Sequence, residues 1–89
     1  MRSPFLQVRN LGPMSAYMLA EAGIDSVENL RELGAVEAYA RLRTAFGRRI
    51  SLNALWALDA GLADIDWRTL PDQRKAELKT ALAERMAGS

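Results

Sequence analysis

An all-α fold, a compact bundle of five short helices, is what this sequence predicts. Three observations carry the expectation. Apolar residues recur at three- and four-residue spacing through most of the chain, with no convincing period-two run. Gly12-Pro13, Gly23, Ser26, Gly34, Gly47, Ser51 and Pro71 punctuate that pattern at the intervals short helices need. The chain has 89 residues, 49% apolar and 26% charged, which is the composition of one small globular domain. The uneven helix lengths argue against a regular up-down four-helix bundle.

Residues 1–9 read as an irregular segment whose Phe5, Leu6 and Val8 pack on a single helical domain spanning 10–87. Asn10-Leu11-Gly12 makes a turn, and Pro13 takes the first helical position, where its missing N–H costs nothing. The first helix runs to about Ala22, and Gly23 ends it in the positive-φ conformation of a helix stop. Ile24 drops into the core. Ser26 caps a second helix, Val27 to Leu33, with Asp25 as the rival cap because Asp25 and Glu28 would form a capping box. Val27, Leu30 and Leu33 face inward, and Gly34 ends this helix.

The third helix, Ala35 to Phe46, sets Val36, Tyr39, Leu42 and Phe46 on one side and stops at Gly47. Ser51 caps the fourth, Leu52 to about Ala63. Only Asn53, Asp59 and Gly61 interrupt its apolar run, so it reads as the central helix around Leu55, Trp56, Leu58 and Leu62. Pro71 opens the fifth, which ends near Met86 with a stripe of Leu78, Ala81, Leu82 and Met86, and Leu70 staples its entry.

Composition also narrows function. There is no cysteine and no histidine, so a disulfide framework, a thiolate zinc site and the commonest general base are all absent. No apolar run approaches the roughly 18 residues of a membrane span. Residues 1–10 lack the apolar stretch of a signal peptide, so a cytoplasmic location is the default. No cofactor is expected. Asp59, Asp64 and Asp66 form a carboxylate cluster without the spacing of a calcium loop, so no metal site and no catalytic residues are expected either.

The net charge of +1 is too neutral to argue for nucleic acid by itself, but its distribution says more. Residues 38–58 carry Arg41, Arg43, Arg48 and Arg49 and no acid, whereas residues 1–37 sum to −2 and residues 59–89 to −1. Arginine suits bidentate contact with phosphate. The same four residues also fit a solvated helix face and its C-terminal turn, where the helix dipole favours cations.

The segment N-L-G-P-M-S-A-Y-M-L at Asn10–Leu19 resembles the hairpin and second helix of a helix-hairpin-helix motif. Such a turn aims backbone N–H groups and the positive end of a helix at a phosphate, without reading sequence. Asn10 stands where the first hairpin glycine would be, and Met14 where a lysine often reaches the phosphate. On this reading Arg9, Asn10, Leu11, Gly12 and Ser15 hold the phosphate contact. Equally, Gly12-Pro13 is simply a helix start, with Ala16 and Leu19 in the core.

A wider resemblance follows from four blocks in order. They are R-N-L-G-P-M-S-A from Arg9, A-G-I-D-S-V-E-N-L-R-E-L-G-A-V-E-A-Y from Ala22, S-L-N-A-L-W-A-L from Ser51 and D-W-R-T-L-P from Asp66. Together they are similar to the C-terminal domain of the TfoX/Sxy family, bacterial regulators of natural competence. The resemblance implies a helix-hairpin-helix-like domain and a non-enzymatic role in transcriptional control alongside a cyclic-AMP receptor protein. Members typically carry an α/β domain ahead of this one. No catalytic residue is carried over.

Three further features have two readings each. Asn53 is a polar contact for a partner, or a buried amide satisfied by nearby backbone. Trp67 stacks on a base, or fills the gap between the last two helices. Met14, Tyr17 and Met18 cannot all face inward, so an exposed apolar patch there would suit a protein partner. The sequence therefore supports a regulatory module that contacts the DNA backbone, or else a protein-interaction or homodimerisation module. An enzyme would need a cleft with a perturbed carboxylate or lysine.

Overall fold

The computed structural model of the chain describes residues 13–88, and the side chains of all of these but residues 13–15 and 48. Among the described residues there are four α-helices: α1 (Pro13–Glu21), α2 (Val27–Phe46), α3 (Leu52–Leu62) and α4 (Asp72–Ala87). Single 3-10 turns lie at Gly47–Arg49 and Trp67–Thr69. The expected packing of Phe5, Leu6 and Val8 lies outside the described residues.

Four helices replace the predicted five because the second and third are one kinked element, α2. Gly34 sits at φ 81, ψ 166, outside the helical region and in a basin open only to glycine. Two helical stretches meet at this glycine with no linker between them, so the chain is redirected by a kink and no loop opens. Ser26 wins over Asp25 as the cap of α2: its Oγ accepts the backbone N–H of Asn29 at 2.9 Å. Ser51 also takes an N-cap position, before α3, but its side chain makes no capping bond.

Two corners of the chain are built alike. At the end of α1 the Ile24 N–H reaches the Leu19 carbonyl at 2.9 Å, and the Gly23 N–H reaches Ala20 at 3.0 Å. At the end of α3 the Ile65 N–H reaches Ala60 at 2.9 Å, and the Asp64 N–H reaches Gly61 at 3.1 Å. Both are Schellman motifs, which satisfy the last carbonyls of a helix by reversing the chain. Gly23 supplies the positive φ at the first corner and Asp64, at φ 58, at the second. An aspartate tolerates that conformation better than most residues. After the second corner Asp66 caps the next turn by accepting the Arg68 N–H at 2.9 Å.

The core lies between α1, α2 and α3. Leu19, Ile24, Leu30, Tyr39, Leu55 and Leu58 are its largest fully buried side chains, and Trp56, Leu42, Ile50, Leu70 and Leu78 extend it. Alanines 35, 38 and 60 are buried too and let the helix axes approach closely. Trp67 packs half-buried against this core, as a gap-filler would.

Two expectations about helix faces need correction. Asn53 is exposed, and Leu52 is 39% exposed, so the first turn of α3 faces solvent rather than being wrapped all round. In α4 only Leu78 is buried. Leu82 is half-buried, while Ala81 and Met86 are exposed. The helix covers one edge of the core, and a single apolar row suffices for that. No helix among the described residues is long and apolar enough to cross a membrane.

Candidate nucleic-acid interface

The structure divides the candidate residues into three groups. Arg9, Asn10, Leu11 and Gly12 lie outside the described residues. Ser15 belongs to the first turn of α1, and its side chain is among those not described. The basic segment Arg41–Arg49 is described at three of its four arginines.

Those three arginines do different things. Arg41, on α2, is exposed, and its Nε donates to Glu37 Oε1 at 3.3 Å. Arg43 is half-buried and points at the other end of the helix, where its Nη1 donates to the Ile50 carbonyl at 3.3 Å. Arg49 is exposed at the end of the Gly47–Arg49 turn and makes no ion pair among the described residues. Arg48 precedes it in the same turn. The +4 segment is thus not a uniform field. Its first cation is balanced by an acid and its second is tied to the backbone.

Glu37 also draws in Arg85 from α4, which donates to the same carboxylate through Nε and Nη2. These side chains, with Glu21 and Thr44, line a shallow groove of about 420 Å³ where the end of α1 meets α2 and α4. Hydrogen bonding from Arg85 holds the Glu37 carboxyl below its ordinary value; partial loss of hydration opposes this, and Arg41 adds to it. Folding is therefore linked to pH through Glu37. A depressed carboxyl contributes its stability above its unfolded value, near ~4.3, and that contribution is lost as pH falls through the lower folded value. Glu37→Gln is expected to melt below the wild-type chain at pH 7. The gap should close as pH falls below about 4, in paired calorimetric scans. An undiminished gap at low pH would mean that packing, not charge, carries the contact.

A second ion pair joins α3 to α4. Arg74 donates to both Asp59 oxygens, Nε to Oδ2 at 3.0 Å and Nη2 to Oδ1 at 2.7 Å. This bidentate fit raises the affinity of Arg74 for its proton. Asp66 caps the Trp67–Thr69 turn and pairs with Arg68, and Asp64 holds a corner. The three acids have separate structural uses. Among the described residues no group of three or more acidic side chains gathers as metal ligands would.

The proposed apolar patch also divides. Tyr17 is 58% exposed, whereas Met18 is half-buried and lines a small apolar cleft of about 50 Å³ with Leu42, Ile50, Ala54 and Ala57. The Met14 side chain is not described. Sequence reasoning missed Glu37–Arg85 and Asp59–Arg74. Glu37–Arg41 and Arg74–Glu77 did have a local signal, their four- and three-residue spacing on a helix.

Comparison with known proteins adds a family and a fold. Residues 1–82 match the TfoX C-terminal domain. The crystal structure of an uncharacterized protein from Listeria monocytogenes superposes with a TM-score of 0.75. It is 29% identical, over 81% of this chain and 81% of that one. No curated protein matches the chain.

Proposed function

The chain belongs to the TfoX C-terminal domain family, and from that premise we propose that it is a non-enzymatic regulatory module in the transcriptional control of competence, one that contacts the DNA backbone weakly and without reading sequence. The observation that carries the DNA part is the exposed Arg49 on a fixed turn, following Arg48 and unbalanced by any acid among the described residues. Arginines on a turn meet phosphates as charges and as donors, and give register rather than specificity. Arg9 and the turn at Leu11–Ser15 supply the second contact, on the helix-hairpin-helix reading.

The test is fluorescence anisotropy of a labelled duplex titrated with the chain over a range of salt. Three phosphates, met by Arg9, Arg48 and Arg49, predict a log–log slope of about −3. Arg49→Ala should reduce that slope by about 1. Absence of binding at low salt overturns the DNA reading.

A protein-interaction or homodimerisation role is the second reading. Tyr17, exposed beside the half-buried Met18 on α1, favours it, and so does the near-neutral net charge. A mass that doubles with concentration in light scattering, and that Tyr17→Ser returns to monomer, would establish it.

A further inference from the structure

The backbone between α2 and α3 is held by an unusual convergence. The Ile50 carbonyl precedes α3, so no helical N–H turns back to meet it. Two side chains of α2 do so instead. Tyr39, 1% exposed, brings its hydroxyl to that oxygen at 3.4 Å, and Arg43 brings Nη1 at 3.3 Å. A carbonyl has two lone pairs and accepts both. Arg43 also grips the other end of the turn, because its own carbonyl accepts the Gly47 N–H. The Ile50 side chain is buried, and its N–H returns to the Gly47 carbonyl at 3.3 Å. Gly47 makes the reversal at φ 65. Four residues are thereby tied at both ends, and Arg49 is left facing solvent.

We propose that Tyr39 and Arg43 are positioning residues, a clamp on the Ile50 carbonyl that fixes the Gly47–Ile50 turn so that Arg49 presents its guanidinium to a phosphate while Arg43 does not touch one. The clamp stands on the hydrogen bonds alone; its use toward a phosphate rests on the DNA reading above. Arg41 and Arg43, though in the same basic run, are engaged within the molecule, so among the described arginines of this segment it is Arg49 whose charge is left to a ligand.

Trypsin reads the turn directly, since it cuts after arginine. In the full 89-residue chain, Tyr39→Phe and Arg43→Gln should each speed cleavage after Arg48 and Arg49 by about fivefold, the effect of losing one such hydrogen bond. Cleavage after Arg31, in the first part of α2, serves as the reference and should not change. Tyr39→Phe keeps the ring and every charge, so it decides the matter if Arg43→Gln does not fold. In the duplex titration, Tyr39→Phe should weaken binding about fivefold at an unchanged salt slope. Arg43→Gln should likewise leave the slope unchanged, whereas Arg49→Ala lowers it by about 1. A slope reduced by Arg43→Gln would make Arg43 a phosphate contact and overturn the assignment. Unchanged cleavage after Arg48 and Arg49 in both variants would overturn the clamp itself. If the wild-type chain binds no duplex, the DNA reading fails and so does the clamp's use toward phosphate, while the protease result still decides whether the clamp exists.

Discussion

Replacing Trp56 with alanine is expected to lower the unfolding free energy by about 3–5 kcal/mol, the cost of emptying a large aromatic site in a core. The indole is 6% exposed, on the α3 face that meets the core. The Lys75 ammonium of α4 stands 5.7 Å from the ring centroid, so the ring also holds a favourable cation from the neighbouring helix. A domain of this length has roughly 5–10 kcal/mol of stability in all. The variant should therefore unfold at a much lower urea concentration, and Trp67 remains to report the transition by fluorescence. Trp56→Phe keeps most of the volume and should lose far less. A loss under about 1 kcal/mol for the alanine variant would mean the site collapses to fill the void, contrary to the close packing expected of the buried cluster it belongs to.

Gly34→Ala is the second large expected effect, and its sign is the informative part. Alanine is the best helix former and would stabilise a straight helix by about 1 kcal/mol over glycine. Here it should destabilise by about 1–3 kcal/mol, because φ 81, ψ 166 is a glycine-only conformation. Apart from the adjoining backbone, no atom lies within 4 Å of the position a Cβ would take, so the loss comes from the backbone conformation and not from a clash with a packed neighbour. Thermal melts separate the two cases. A higher melting temperature would show that α2 straightens through residue 34 in solution.

Much of the fold is legible in the residues themselves. Pro13, Gly23, Ser26 and Gly47 mark helix ends because each does something local: a missing N–H, a positive φ, a capping hydroxyl. The buried positions Ile24, Leu30, Tyr39, Leu42 and Leu55 follow from their spacing. Gly34 does break helical geometry, as its place in the pattern predicts, but the two stretches it separates abut as one kinked element. A glycine that breaks helical geometry looks the same in sequence whether or not a loop follows, and here none does. The second corner was hidden because Asp64 does the work expected of a glycine. The exposure of Asn53 and Met86 depends on which neighbours reach them.

The candidate interface was less legible than the fold. Arg41, Arg43, Arg48 and Arg49 form one basic run in sequence, but the run divides once the partners of Arg41 and Arg43, four and seven residues away, are in place. Glu37 shares its carboxylate between Arg41 and Arg85, and the Ile50 carbonyl occupies Arg43. Neither partner is encoded by the composition of the run. Net charge over a window counts cations; it does not say which of them are already engaged.

The paired Schellman corners bear on how this chain tolerates drift in its sequence. Each corner needs a backbone that can reverse and an apolar side chain, Ile24 or Ile65, to seat against the helix just ended. The reversing position accepts Gly23 in one case and Asp64 in the other, so it is the looser requirement. A lineage can exchange glycine for aspartate or asparagine there at little cost, whereas a polar residue in place of Ile24 would leave a hole under α1. Distant relatives should thus be easier to align on the isoleucines than on the glycines.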